Sequence, residues 1–295
     1  MWKFLAIART SEAGLESFSN FKVRQMPDTA RQPVKFERPP IVEVVCGVSF
    51  DLPKPLTSAY VGLFWSRIKQ EYPNTLDQPP AAAMVEGPGL GSGVVEFQIV
   101  SLPPLRRAFF SSPDGRHLIQ LQDDRFLLNW KKMEDADHYP SYANVIKKFR
   151  EQYAVFTEFL EDVGLGAPRV TQLELTYVNI MDIAPDSPPN STLLVDHQLG
   201  PGERFLPKAE AINWQTSYAL PDQNGRLHTV AQSARNVKKS GVPVLRLDLT
   251  ARGMPRGRDP KSCEAWFDLA HDWITYGFAD ITSHAAQKSL WRRTS

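Results

Sequence analysis

Three carboxylates, two amides and one guanidinium alternate with apolar residues on strand-like stretches: Glu43, Glu174, Asp248, Gln120, Asn129 and Arg246. Carboxylates brought within reach of one another would serve as acid and base or as metal ligands. Spread over rigid strands and interleaved with amides and an arginine, the same groups would suit hydrogen-bonded recognition of a polar ligand or a protein. Glu96, Gln98 and Gln172 share the pattern. Antiparallel sheets commonly leave one face to water, so an ordinary solvated face is the plainest alternative.

Other chemistry is thinner. His138 stands near Glu134, Asp135 and Asp137, a conceivable metal set that reads more simply as a solvated loop before a helix. His271, beside Asp272, lies one position from the inward stripe of the last helix and reads as structural rather than catalytic. His117, His197, His228 and His284 show no recognisable spacing. Cys46 and Cys263 have no Cys or His at zinc-ligand spacing and read as free thiols in a reducing cytoplasm. The run EGPGLGSGVV lacks the Gly-Lys-Ser/Thr of a phosphate loop, so Gly87 to Gly93 reads as a flexible loop. A basic run with Arg252, Arg256, Arg258 and Lys261 could meet phosphate near a helix start, but a solvated loop balanced by acids is the simpler account. Neither a metal nor a cofactor is expected.

These side chains need elements to hold them. Residues 41 to 51 alternate Val42, Val44, Cys46, Val48 and Phe50 against Ile41, Glu43, Val45, Gly47 and Ser49, the period of a strand with one apolar face. Helical spacing predicts helices near 57 to 72, 141 to 163 and 261 to 282, with Thr57 and Ser141 as candidate caps and Gly164 as a stop. Further strands are expected at 94 to 100, as three pieces within 106 to 132, and near 169 to 181, 211 to 220, 225 to 237 and 242 to 252. Pro113-Asp114-Gly115 supplies one turn and Asp123-Asp124 a tight second, which would face Leu121 with Phe126 and Ile119 with Leu128. The Pro- and Gly-rich stretch 184 to 211 reads as a long connection.

The expected architecture is α+β: a largely antiparallel curved sheet with long amphipathic helices packed on one face. Residues 1 to 33 read as a flexible N-terminal extension, of which 1 to 25 look dispensable, and 34 to 295 as one domain. That domain has two loosely repeated halves in outline, about 34–164 and 165–295. The stretches KFERPPIVEVVCGVSFD, LTSAYVGLFWSRIKQEYP, LIQLQDDRFLLNWKK and WFDLAHDWITYGFADITSHAAQKSLW together resemble a sporadically distributed, uncharacterised bacterial protein family of about this length. The resemblance runs from Val34 to Trp291, leaves residues 1 to 25 outside, and implies no established activity.

Two function classes follow. One is a non-catalytic binding or interaction protein for a protein partner or a polar small ligand; the sporadic distribution of the family associates it with mobile or defence-like loci. The other is an enzyme using Glu43, Glu174 and Asp248 in acid/base or metal-assisted chemistry, and the missing nucleophile and metal motifs favour the first. No apolar run approaches the ~20 residues that cross a bilayer. With a formal net charge of +1, no global field favours duplex nucleic acid. Random-sequence duplex DNA and RNA titrated by fluorescence anisotropy should therefore show no binding that persists at physiological salt. Persistent binding abolished by reversing Arg256 and Arg258 would contradict this.

Overall fold

The computed structural model describes residues 34–81, 106–183, 211–236, 241–257 and 259–295, all within one compact unit, Val34–Ser295. The alternating stretch at the start of that unit is a strand, β1 (Ile41–Asp51). It is followed by α1 (Ser58–Ile68), β2 (Asn74–Gln78), β3 (Arg107–Ser111), β4 (His117–Gln122), β5 (Arg125–Lys131) and α2 (Tyr142–Asp162). The second half runs β6 (Arg169–Asp182), β7 (Asn213–Ala219), β8 (Arg226–Asn236), β9 (Val242–Gly253), α3 (Pro260–Ile281) and α4 (His284–Ser289). The expected strand at 94 to 100 with Glu96 and Gln98, the Gly87 to Gly93 loop, His197, Arg258, the leader, and all of the long connection but its last residue lie outside the described residues.

The nine described strands form one open sheet in the order β2-β3-β4-β5-β1-β6-β9-β8-β7, with every neighbouring pair antiparallel. Register assigns the faces, because residues directly opposite one another point the same way. One row crosses the sheet as Phe110, Ile119, Leu128, Cys46, Leu175, Ala251 and Leu227, all buried. The tight Asp123-Asp124 turn sets this row, pairing Leu121 with Phe126 and Ile119 with Leu128 as the sequence predicts.

The helices lie on this apolar face. Phe156 of α2 stacks on Phe126 at a centroid distance of 5.1 Å and meets Phe50 at 5.5 Å and Phe64 of α1 at 5.3 Å. Phe149 of α2 meets Phe267 of α3 at 5.4 Å, joining the two helices edge to face. Farther along α3, a Cβ on Gly277 would sit 3.0 Å from Leu227 and 3.7 Å from Leu249, so this helix lies close over β8 and β9.

Helix ends follow local chemistry with two corrections. At the end of α2, Gly164 takes φ +69, its N–H reaches the Glu161 carbonyl, and the N–H of Leu165 reaches that of Leu160. That double closure needs the left-handed residue which glycine supplies without penalty. Asp259 caps α3 by accepting from the Ser262 N–H at 3.1 Å, with Pro260 in the first turn. Ser141 does not cap α2: it sits at φ 90 with no side-chain bond, and Thr57 likewise makes none for α1. Trp266 of α3 is buried, and α2 buries Gln152 and Phe159 beside its other inward residues.

Sequence periodicity missed β2 altogether. It is a five-residue edge strand of exposed or half-buried residues, so it carries no apolar alternation to detect. Among the described residues no helix is long and apolar enough to cross a membrane.

Truncating Phe156 to Ala removes the ring shared by α1, α2, β1 and β5. A loss of about 3–5 kcal/mol is expected, read as a lowered urea midpoint with unchanged slope. Wild-type stability would show that this aromatic cluster does not hold the helices to the sheet.

Candidate functional site

The other face of the sheet carries no described helix, and register places the predicted polar residues there in rows. One row reads Phe109, Gln120, Leu127, Gly47, Glu174, Arg252 and Arg226; the next Leu118, Asn129, Val45, Thr176, Thr250 and His228; a third Lys131, Glu43, Val178 and Asp248. Arg246 lies beyond the third row, opposite Ile180.

Three of the predicted residues form one continuous chain. Arg107 Nη1 donates to Gln120 Oε1 at 3.2 Å, Gln120 Nε2 donates to Asn129 Oδ1 at 2.7 Å, and Asn129 Nδ2 donates to Glu43 Oε1 at 2.5 Å. Lys131 Nζ stands 3.7 Å from the same carboxylate oxygen. The ends dictate the order. A guanidinium only donates, so Gln120 must turn its oxygen to Arg107; a carboxylate only accepts, so Asn129 must turn its nitrogen to Glu43, and the two amides are then complementary. Asn129 and Gln120 are 2% and 7% exposed, which corrects the solvated-face reading at these positions. Neighbouring Gln122 is held through both amide atoms to the Ala81 backbone, at 3.0 and 3.3 Å.

The remaining predicted residues form separate pairs. Arg246 Nε donates to both Asp248 oxygens, at 2.9 and 3.0 Å. These bonds raise the Arg246 pKa, burial opposes them, and the charges of Asp248 and Glu43 add to them. Arg252 Nε donates to Glu174 Oε2 at 2.5 Å, and Thr176 Oγ1 to Glu174 Oε1 at 3.3 Å. Glu43 and Asp248 share a row two strands apart, about 10 Å between backbones, and Glu174 lies about 13 Å along β6 from that row. The carboxylates are therefore spread rather than convergent, and among the described residues no group of three His, Cys, Asp or Glu side chains is placed to hold a metal ion.

Sequence reasoning overlooked Arg107, which completes the chain. Arg107 carries two further features: its Cζ lies 4.9 Å from the Phe109 ring centroid, and its Nε is buried without a hydrogen-bond partner. It opens a strand of only five residues, too short for alternation to assign its face.

Other candidates are occupied. Asp137, in the conceivable metal set, accepts from Arg116 Nη2 at 2.7 Å and from the Met133 and Glu134 N–H groups, which hold its carboxyl well below the usual range. Arg256 of the basic loop pairs with Asp222 at 2.9 Å. Cys46 and Cys263 are free thiols, and burial pushes the Cys46 pKa up, opposed by the charge of Arg150.

On the helix side, His271 is half-buried with Nδ1 3.0 Å from the Tyr177 hydroxyl, which in turn meets Tyr139 at 2.8 Å. Tyr142 stacks on its imidazole with centroids 4.0 Å apart and donates to Asp268 at 2.9 Å. Burial lowers the His271 pKa to about 4 against the opposing charge of Asp268. The imidazole is thus a neutral strut between α3, β6 and the start of α2.

Compared with protein-family models and with curated proteins, the chain matches none.

A histidine whose pKa falls on folding binds its proton more readily when unfolded. Its contribution to stability is full above the ordinary value of 6.5 and is lost as pH drops toward about 4. The expected loss is about 1.4 kcal/mol per pH unit, on the order of 3 kcal/mol in all. Urea unfolding at pH 6.5 and pH 5 should show a larger drop for wild type than for His271→Phe; equal drops would remove His271 from this role.

Proposed function

We propose that the protein is a non-catalytic binding protein and that the sheet face carrying no described helix is the recognition surface. The observation that carries this reading is the ordered chain Arg107–Gln120–Asn129–Glu43, whose donors and acceptors are fixed by the two charges at its ends. Side chains locked on strands lose little freedom when a ligand arrives, which favours affinity and specificity for a matching partner. The half-buried Arg107 guanidinium calls for an acceptor, and the Glu43 and Lys131 end for groups of both signs. A protein partner with a mixed-charge surface, or a zwitterionic small ligand, fits that demand.

The spacing of Glu43, Glu174 and Asp248, each with its own cationic partner, supports binding over acid/base or metal-assisted catalysis. The sequence resemblance supports the narrower reading of an accessory or partner component of a mobile or defence-like bacterial locus acting in the cytoplasm. The sheet order supports two halves built to one plan. In each, the first strand (β1 or β6) is followed by an antiparallel meander whose last strand (β5 or β9) returns to pair with it and leads into a long helix, α2 or α3.

Native affinity purification from the host, with mass spectrometry for proteins and small ligands, tests the reading. A partner retained by wild type should be lost from a Glu43→Gln, Arg107→Ala double variant and kept by a control altered on exposed Glu158 of α2. Undiminished retention by the double variant would move recognition off this face.

A further inference from the structure

The open sheet ends in two edges that differ in kind. At β2 the strand is five residues long, flanked by Pro73 and Pro79, and carries Asp77, beside which Arg106 stands at 3.8 Å. Short length, prolines and charge are the usual devices that keep an edge from pairing. At β7 (Asn213–Ala219) none of these is present: its seven residues, Asn-Trp-Gln-Thr-Ser-Tyr-Ala, include no charge, no proline and no glycine. Among the described residues no strand lies beyond it, and six of its seven residues are exposed.

The backbone of β7 is also poised for a further strand. The Ile212 carbonyl and the Leu220 N–H bond toward β8, at 2.9 Å each, and bonding alternates along an antiparallel strand. The even-numbered residues of β7 therefore face β8, and the N–H and C=O groups of Asn213, Gln215, Ser217 and Ala219 point outward.

We propose that β7 pairs antiparallel with β7 of a second copy of this chain, about a two-fold axis at Thr216, so that two sheets become one. A two-fold axis sets each residue near it against its own copy, so a charge at the centre would meet a like charge. An uncharged edge suits a second copy better than a charged partner. The register that centres on Thr216 places Gln215 opposite Ser217 and Asn213 opposite Ala219, the outward-bonding residues on both strands. It places Trp214 opposite Tyr218 at a non-hydrogen-bonded pair, where side chains come closest. Trp214 already packs partly against the core, whereas Tyr218 is 45% exposed and is covered by the tryptophan of the other copy.

Analytical ultracentrifugation of the full chain is the test. Wild type should sediment at twice the chain mass of 33.3 kDa. Thr216→Lys and Thr216→Glu should each run at the single-chain mass with wild-type circular dichroism, and their equimolar mixture should regain the double mass. Amide exchange on the wild type needs no variant to fold: the N–H groups of Gln215 and Ser217 should be protected, and protection should fall on dilution. A wild type that remains single at the highest attainable concentration overturns the proposal. So does a dimer that Thr216→Lys leaves intact, a mixture that stays single, or free exchange at Gln215 and Ser217.

Discussion

The structure depends on β1 being paired on both sides from Glu43 to Ser49, where its register with each neighbour is unbroken. Glu43 faces Lys131 on β5 and Val178 on β6, while Cys46 faces Leu128 and Leu175. A slip of one residue would turn Glu43 and Ser49 under the helices and expel Val44, Cys46 and Val48. Burying Glu43 away from its partners would cost far more than any one apolar side chain contributes by packing there. Gly47 fixes the same register from the opposite face. A Cβ there would come within 2.3 Å of the Leu127 side chain, so Leu127 occupies the room that the missing Cβ leaves. That leucine stands in the row between Gln120 and Glu174, and it separates the Glu43 chain from the Glu174–Arg252 pair with apolar surface.

A buried amide is tolerated only where its oxygen and nitrogen are both answered. Asn129 is answered by Glu43 and Gln120, and Gln120 by Asn129 and Arg107. Half-buried Glu43 and Arg107 thus act as terminals for two amides that water cannot reach. The same accounting explains the helix side, where buried Tyr177 and half-buried Tyr139 and His271 satisfy one another between the elements they join. Both faces of the sheet therefore contain specific polar networks, and among the described residues only one of them is also covered by helices.

Periodicity made the sheet legible wherever one face was buried. The bounds expected for β1 agree with the structure, and α2 and α3 lie within a residue of where helical spacing placed them. The Asp123-Asp124 turn was readable because two residues between alternating runs leave one register open. Edge strand β2 was not, since its residues pack against nothing that alternation could report. For the site, face assignment was legible and contact was not. The six predicted residues do share the face that carries no described helix, but which of them touch depends on strand order, and strand order brings β5 beside β1 across more than seventy intervening residues. Burial of Asn129 and Gln120 was equally hidden, because a polar residue alternating with apolar ones reads as solvated until its neighbours are known.

A carboxylate in a central strand usually signals either catalysis or a solvated face; Glu43 is half-buried there and held by Asn129 and Lys131. Glu43 anchors one end of a chain whose orientations follow from the charges at its two ends, so replacing it would disturb Asn129, then Gln120, then the donor left on Arg107. A ligand contacting either end is thereby felt at the other through two oriented amides, over adjacent strands. Such coupling would favour a partner that engages both ends at once over one that engages a single charge, which is the demand that the proposed recognition surface makes.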